Sequence, residues 1–308
     1  MPASAPAHAP GHAPGQAPGF YRHRLGSVMV TAINDGALFE DAGMLTGIAP
    51  AMVADVLASA FLPAHPIVTV NAFMLEMPGG KVLIDAGCGN GMGGTVGRLR
   101  ANLEHAGISP AEIGLVLLTH MHPDHVGGLL DAEGAAAFPQ ARLLVSEADA
   151  ALFLDPAMAE RAPEQARPVF AKARAVAAAY AGRLERFQGD AEVAPGIRPV
   201  PLPGHSPGHT GFRVTDGEQT LLIWGDVVHV PGVQFSHPEV GVVFDADPGM
   251  AQRTRQAALA DAAARRELVA GMHMAFPGLA HIVAEGSGYR PVPVLWTPEP
   301  GTQGVAQP

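Results

Sequence analysis

The sequence predicts an α/β domain built on a buried sheet. Strand-type and helix-type segments alternate from about residue 20 onward, the pattern of that class. A short apolar run, Leu115 to Leu118, breaks off into Thr-His-Met-His-Pro-Asp-His and then Gly127-Gly128. That is a buried strand opening into a loop at its C-terminal end. The 308 residues are 48% hydrophobic and 16% charged, which supplies a substantial core.

Residues 1–19 form an Ala/Pro/Gly tract with His8 and His12. Such a composition buries too little surface to offset its ordering entropy, so a disordered arm is expected. The folded domain is expected over 20–296 and a flexible tail over 297–308. Ser27–Ile33 is β-rich, and Asn34-Asp35-Gly36 is a turn signal. Pro50–Phe61 has helical apolar spacing. Val68–Met77 and Lys81–Ile84 form a hairpin pattern around Pro78-Gly79-Gly80. Thr95–His105 has amphipathic helical spacing, and Ser109-Pro110-Ala111-Glu112 has that of a capping box. The motif strand follows.

Arg142–Val145 is a further short strand, with Ser146 placed to cap a helix through Phe153. Glu164–Ala181 is Ala-rich and helical. Ile197–Val200, Gly211–Val214 and Leu221–Trp224 are strands separated by turns. Asp247-Pro248 has the form of an N-cap followed by proline at the first helical position, starting a helix to about Arg266.

Charge and cysteine usage narrow the function classes. The formal net charge is −10, from 19 basic and 29 acidic residues. Long-range attraction to nucleic acid or to an anionic membrane is therefore disfavoured. Cys88 is the single cysteine, which excludes an intrachain disulfide and a thiolate-rich metal site. No stretch approaches the roughly 18–20 apolar residues of a membrane span. With no secretory signal pattern at the N-terminus, cytoplasm is the expected location.

His120, His122, Asp124 and His125 fall within six residues directly after the strand. In extended chain, residues i and i+2 share a face, so His120 and His122 point the same way. Pro123 turns the chain and lets Asp124 and His125 approach from the other side. Imidazole nitrogen and carboxylate oxygen suit zinc and similar divalent metals. Three later segments each place a His or Asp at the end of an element: His205-Ser206-Pro207-Gly208-His209, Trp224-Gly225-Asp226 and Gly271-Met272-His273. Singly, each is equally a capped turn, a helix-capping Asp or a satisfied His. Together they make one candidate site.

The His-x-His-x-Asp-His pattern and the order of the later segments resemble the metallo-β-lactamase superfamily over roughly residues 20–290. The resemblance implies a four-layer αβ/βα sandwich with two mixed sheets and a site for two divalent metal ions at one edge. Zinc is the first expectation; manganese, iron or cobalt suits the same N/O set. It implies that His120, His122 and His209 bind one metal, that Asp124, His125 and His273 bind the other, and that Asp226 bridges both. Asp85 matches the carboxylate that supports the ligands from behind, and His205 is expected to be structural.

The wording around the ligands is similar to the branch containing methyl parathion hydrolases and quorum-quenching lactonases. True β-lactamases lack the bridging Asp, and oxygen-reducing di-iron relatives carry Glu in place of the second His of the first motif. Where several lactonases place a Tyr three residues after the bridging Asp, this chain has His229.

The function implied is hydrolysis in which hydroxide held between two metals attacks a neutral lactone or ester, including acyl-homoserine lactones. Asp124, Asp226 and His229 are the expected catalytic side chains. Phosphotriester hydrolysis, glyoxalase II-like thioester hydrolysis and non-catalytic metal binding are the alternatives. Phe235, Phe244, Met272, Met274 and Phe276 flank the ligands and form either an apolar pocket wall or ordinary core. The resemblance also implies a homodimer.

Overall fold

The structure, a computed structural model, describes residues 16–300. His8, His12 and the rest of residues 1–15 lie outside the described residues, as do residues 301–308 of the expected tail. The first half of the chain supplies β1 (Phe20–Leu25), β2 (Val28–Phe39), β3 (Leu45–Thr46), β4 (Ile67–Met77), β5 (Gly80–Ile84), β6 (Ile113–Leu117), β7 (Arg142–Ser146) and β8 (Leu184–Phe187). The second supplies β9 (Ile197–Pro201), β10 (Thr210–Asp216), β11 (Gln219–Ile223), β12 (Gly241–Val242), β13 (Leu268–Ala270), β14 (Leu279–Glu285) and β15 (Gly288–Pro293). One sheet runs β1-β2-β4-β5-β6-β7-β8 and the other β15-β14-β13-β11-β10-β9, while β3 pairs with β12.

Helices α1 (Pro50–Ser59), α2 (Leu99–His105), α3 (Pro123–Val126) and α4 (Glu147–Phe153) precede α5 (Pro156–Arg161), α6 (Arg167–Ala179), α7 (Pro231–Gln234) and α8 (Pro248–Arg265). Alternation along the strands decides what each face buries. Phe73, Leu75, Ile84, Leu115 and Leu117 meet Phe212, Val214, Leu221 and Ile223 between the two sheets. The intervening residues Met74, Leu83, Val116 and Leu118 face outward and pack on Leu103 of α2, Phe153 of α4 and Val176 of α6. On the far side, Leu222, Trp224 and Val269 pack on Ala258, Leu259 and Ala262 of α8. The layers are therefore helix, sheet, sheet, helix, as the sequence implied.

β5 through β8 form a continuous parallel ladder, and β11 pairs with β13 in parallel. Their C-terminal ends carry the candidate residues, since Asp85 follows β5, His120 to His125 follow β6, Asp226 follows β11 and His273 follows β13. Ligand sites in α/β sheets sit at such ends.

Several elements differ from expectation. Asn34-Asp35-Gly36 is no terminal turn: it lies inside β2, where the register shifts between Asn34 and Gly36. The Asp35 carboxylate explains the irregularity, because it accepts the backbone N–H groups of Cys88, Gly97 and Leu99 at 2.9, 3.0 and 2.8 Å. Residues 95–98 are held by these bonds as a loop, so α2 begins only at Leu99. The charged strand β1 and the strands β8, β14 and β15 carry no pattern strong enough to be read beforehand. The expected capping box is present, with Ser109 and Glu112 bonding reciprocally. Among the described residues, no helix is long and apolar enough to cross a membrane.

Candidate metal centre

The loops after β6, β9, β11 and β13 converge on the Asp226 carboxylate, which is 4% exposed. Its Oδ2 lies 3.0 Å from His229 Nε2, 3.1 Å from His273 Nε2, 3.3 Å from His205 Nε2 and 3.7 Å from His120 Nε2. Its Oδ1 lies 3.2 Å from His125 Nε2. Asp124 Oδ2 is 3.4 Å from His125 Nε2 and 3.3 Å from His273 Nε2. His122 approaches from the other side, with Nδ1 2.9 Å from His205 Nε2. Ligand atoms thus gather as His120, His122 and His205, as Asp124, His125, Asp226 and His273, and as His205, Asp226 and His229.

Each ring is aimed by what its other nitrogen touches. His125 Nδ1–H donates to Asp85 Oδ2 at 2.7 Å. Asp85 also accepts the Thr119 hydroxyl at 2.7 Å. That hydroxyl has spent its proton, so His120 Nδ1–H must donate to Thr119 Oγ1 at 3.1 Å. His205 Nδ1–H donates to Asp245 Oδ1 at 2.9 Å, and His273 Nδ1–H to the Thr69 carbonyl at 2.8 Å. Four imidazoles are therefore fixed with Nε2 facing the centre, the arrangement that orients metal-binding histidines. Buried atoms left without a hydrogen-bond partner include His120 Nε2, His125 Nε2, Asp226 Oδ1 and both ring nitrogens of His229. Orphaned buried acceptors are costly. Their convergence fits a group of N- and O-binding cations.

The structure places the two histidines of the Gly-His-Ser-Pro-Gly-His segment differently from the expectation. His205, not His209, joins His120 and His122. His209 is turned away because both its nitrogens are occupied: Nδ1–H donates to the Leu202 carbonyl at 2.7 Å, and Nε2 accepts the Asp226 N–H at 2.9 Å. His209 thus holds the backbone of Asp226 while His205 faces its carboxylate. Gly225 makes this contact possible, since it has φ +60 and a Cβ there would lie 2.4 Å from His209 Nε2. His120 and His122 converge as expected, although β6 ends at Leu117 and both lie in the loop beyond it.

Sequence reasoning missed Asp245, which lies 40 residues from the histidine it orients. It also missed Gln234, whose Oε1 accepts the N–H groups of His229 and Val230 at 2.7 and 3.0 Å. No local spacing announces either contact. The proposed apolar wall separates in two. Phe235, Met272 and Met274 are buried in the core, while Phe244 and Phe276 are exposed.

Burial and the two carboxylates compete for the charge on each ring. Burial, helped by the neighbouring His205, pushes His122 and His209 down to about 3, and burial pushes His229 down to about 4. For His205 burial acts in the same direction, but Asp226 and Asp245 outweigh it and raise the ring to about 9. At His273 burial is outweighed by Asp226 and Asp124, to about 10. In the metal-free chain, protons on these rings do part of what cations would do for Asp226.

The model of the metallo-beta-lactamase superfamily matches residues 66–273. The chain belongs to the metallo-beta-lactamase superfamily. The uncharacterized protein YobT of Bacillus subtilis is 30% identical over 175 residues, which are 56% of this chain and 66% of that protein. A probable metallo-hydrolase of Mycobacterium tuberculosis is 28% identical over 197 residues, 53% of this chain and 61% of that protein. The matches therefore span less than two thirds of these relatives' own lengths. Among solved superfamily structures, the hydrolase AbOPH superposes with a TM-score of 0.87 and 29% identity, covering 92% of this chain and 100% of that one. AidC, a dizinc quorum-quenching lactonase solved with its product N-hexanoyl-L-homoserine, superposes with a TM-score of 0.85 and 23% identity, covering 91% of this chain and 98% of that one.

The opposed shifts give the metal-free protein a stability optimum near neutral pH. An unfolded histidine titrates near ~6.5. His205 and His273, raised to about 9 and about 10, contribute stability that is complete below that value and lost as pH rises through theirs. His122, His209 and His229 refuse protons that the unfolded chain accepts as pH falls below ~6.5 toward about 3 or 4. Urea midpoints measured in chelator should peak between about pH 6 and 7 and fall on both sides. A midpoint that climbs steadily across that range would contradict the assignment.

Proposed function

We propose that the protein is a metal-dependent hydrolase of neutral lactones or esters, with acyl-homoserine lactones among the candidate substrates. The observation that carries this reading is the convergence of buried, oriented imidazoles on Asp226, with unpartnered nitrogens and oxygen facing one another. In this reading His120, His122 and His205 hold one metal, Asp124, His125 and His273 hold the other, and Asp226 lies between them. Zinc is the first candidate for both. AidC supports the choice of reaction class, because a lactonase is built on the same fold.

A pair of divalent metals, when bound, supplies an activated water and polarises the substrate oxygen. The chain's own residues do the rest. Asp85, Thr119, Asp245 and the Thr69 carbonyl hold the rings in place, so little reorganisation accompanies reaction. Asp124 is the most exposed of the clustered carboxylates, with a side chain 16% exposed against 2% for Asp226. It is therefore the group placed to accept a proton from the attacking water and pass it outward. His229 stacks on His273 with ring centroids 5.2 Å apart, and neither of its nitrogens has a hydrogen-bond partner. Its backbone is fixed by Gln234. The ring is neutral near pH 7, so its part is to donate an N–H hydrogen bond to a substrate oxygen.

Phosphotriester hydrolysis is the second reading, favoured by His229 standing at the position where several lactonases place a tyrosine.

The reading is tested by comparing kcat/KM on an acyl-homoserine lactone, an aryl ester and a neutral aryl phosphotriester, before and after chelation. Preference for the lactone or ester, abolished by chelator and restored by metal, is expected. Preference for the phosphotriester would move the assignment to the second reading, and turnover that survives complete metal removal would refute both. Metal titration separates the two neighbouring histidines. His205→Ala should lose tight binding of one equivalent, whereas His209→Gln should keep two equivalents; the reverse pattern would restore His209 as the ligand. His229→Ala should lower kcat/KM about a hundredfold with metal content unchanged. An unaltered rate and pH profile would remove it from the chemistry.

A further inference from the structure

Asp149 is fully buried in α4 and bonds to none of the clustered histidines. Its carboxylate nevertheless joins two of the loops that carry them. Oδ2 accepts the N–H of Met121 at 3.1 Å, and Met121 stands between His120 and His122. Oδ1 accepts the Ser206 hydroxyl and the Gly208 N–H, both at 2.7 Å, and Ser206 follows His205. The second loop is seated directly on the start of α4. A Cβ on Gly208 would lie 2.0 Å from Ser146 Oγ and 2.6 Å from the Asp149 nitrogen.

His125 and His273 are anchored elsewhere. His125 bonds to Asp85 through its ring, and its carbonyl accepts the Ala86 N–H at 2.8 Å. His273 rests on the Thr69 carbonyl. Asp85 thus serves both halves, through the His125 ring and through Thr119 to His120, whereas Asp149 bonds only the His120–His122 loop and the loop of His205.

We propose that Asp149 is a positioning residue that sets the distance between the His120–His122 loop and His205, and so shapes one of the two metal positions selectively. The inference rests on the metal-dependent reading above. A carboxylate accepts all three donors at once, whereas an asparagine must turn its amide N–H groups toward at least one of them. Asp149→Asn keeps the side chain's shape and forces one loop to shift.

The test is a metal titration against a chromophoric chelator, with cobalt spectra of the partly loaded protein. The wild type should bind two equivalents. Asp149→Asn should keep one with wild-type affinity and bind the second about 10–100-fold more weakly, the usual cost of losing a supporting contact. Ser206→Ala removes one of the three bonds and covers the case in which Asp149→Asn fails to fold; it should shift the same equivalent by less. Loss of both equivalents together, or retention of both at wild-type affinity in the folded variants, would overturn the proposal. A wild type that binds no metal would sink the hydrolase reading, and this inference with it. A wild type that binds two equivalents, matched by the folded variants, would overturn this inference alone and leave the hydrolase reading standing.

Discussion

The structure is organised around one buried carboxylate. Asp226 has lost its water, and five imidazole nitrogens stand within 3.7 Å of its oxygens. An isolated carboxylate in such a place would be strongly destabilising, so positive charge must be supplied. The chain supplies some of it as protons on His205 and His273, held there against burial by Asp226 together with Asp245 and Asp124. The same rings, deprotonated, would hold the metal in the proposed reading. A site that binds protons when empty must release them to bind a cation, which couples metal affinity to pH.

The fold makes that carboxylate affordable by spreading its supports over both sheets. Asp85 comes from the end of β5, the Thr69 carbonyl from β4, Asp245 from the stretch before α8, and the Leu202 carbonyl from the turn after β9. Each support fixes one nitrogen of one ring and leaves the other free to choose its partner. None of these supports touches more than a small part of the cluster. The aim of the rings is therefore a property of the whole sandwich, not of the His-x-His-x-Asp-His segment alone.

What the sequence discloses follows from how local each constraint is. The segments that converge on Asp226 were legible because polar residues stop an apolar run abruptly, and the layers were legible because strand alternation repeats at short range. The His205/His209 pair was not. Both positions follow a glycine within one short turn, and the residue that distinguishes them is the Leu202 carbonyl, which occupies His209. Asp35 failed for the same reason. Its tripeptide has turn composition, yet its bonding partners are Cys88, Gly97 and Leu99, more than 50 residues away. Composition also could not say that Met272 and Met274 are core while Phe244 and Phe276 are exposed, since that depends on which sheet face each meets.

The charge arithmetic bears on substrate class. Four carboxylates contact the clustered histidines: Asp85, Asp124, Asp226 and Asp245. Two divalent cations would balance these four negative charges with the imidazoles neutral. The loaded centre would then carry little net charge, in a chain whose formal net charge is −10. Such a centre, in so acidic a chain, would offer an anionic substrate no long-range attraction. A neutral lactone or ester would meet no such barrier. In the proposed hydrolase reading, this charge balance would favour a neutral substrate over glutathione thioesters and phosphodiesters before any pocket wall is considered.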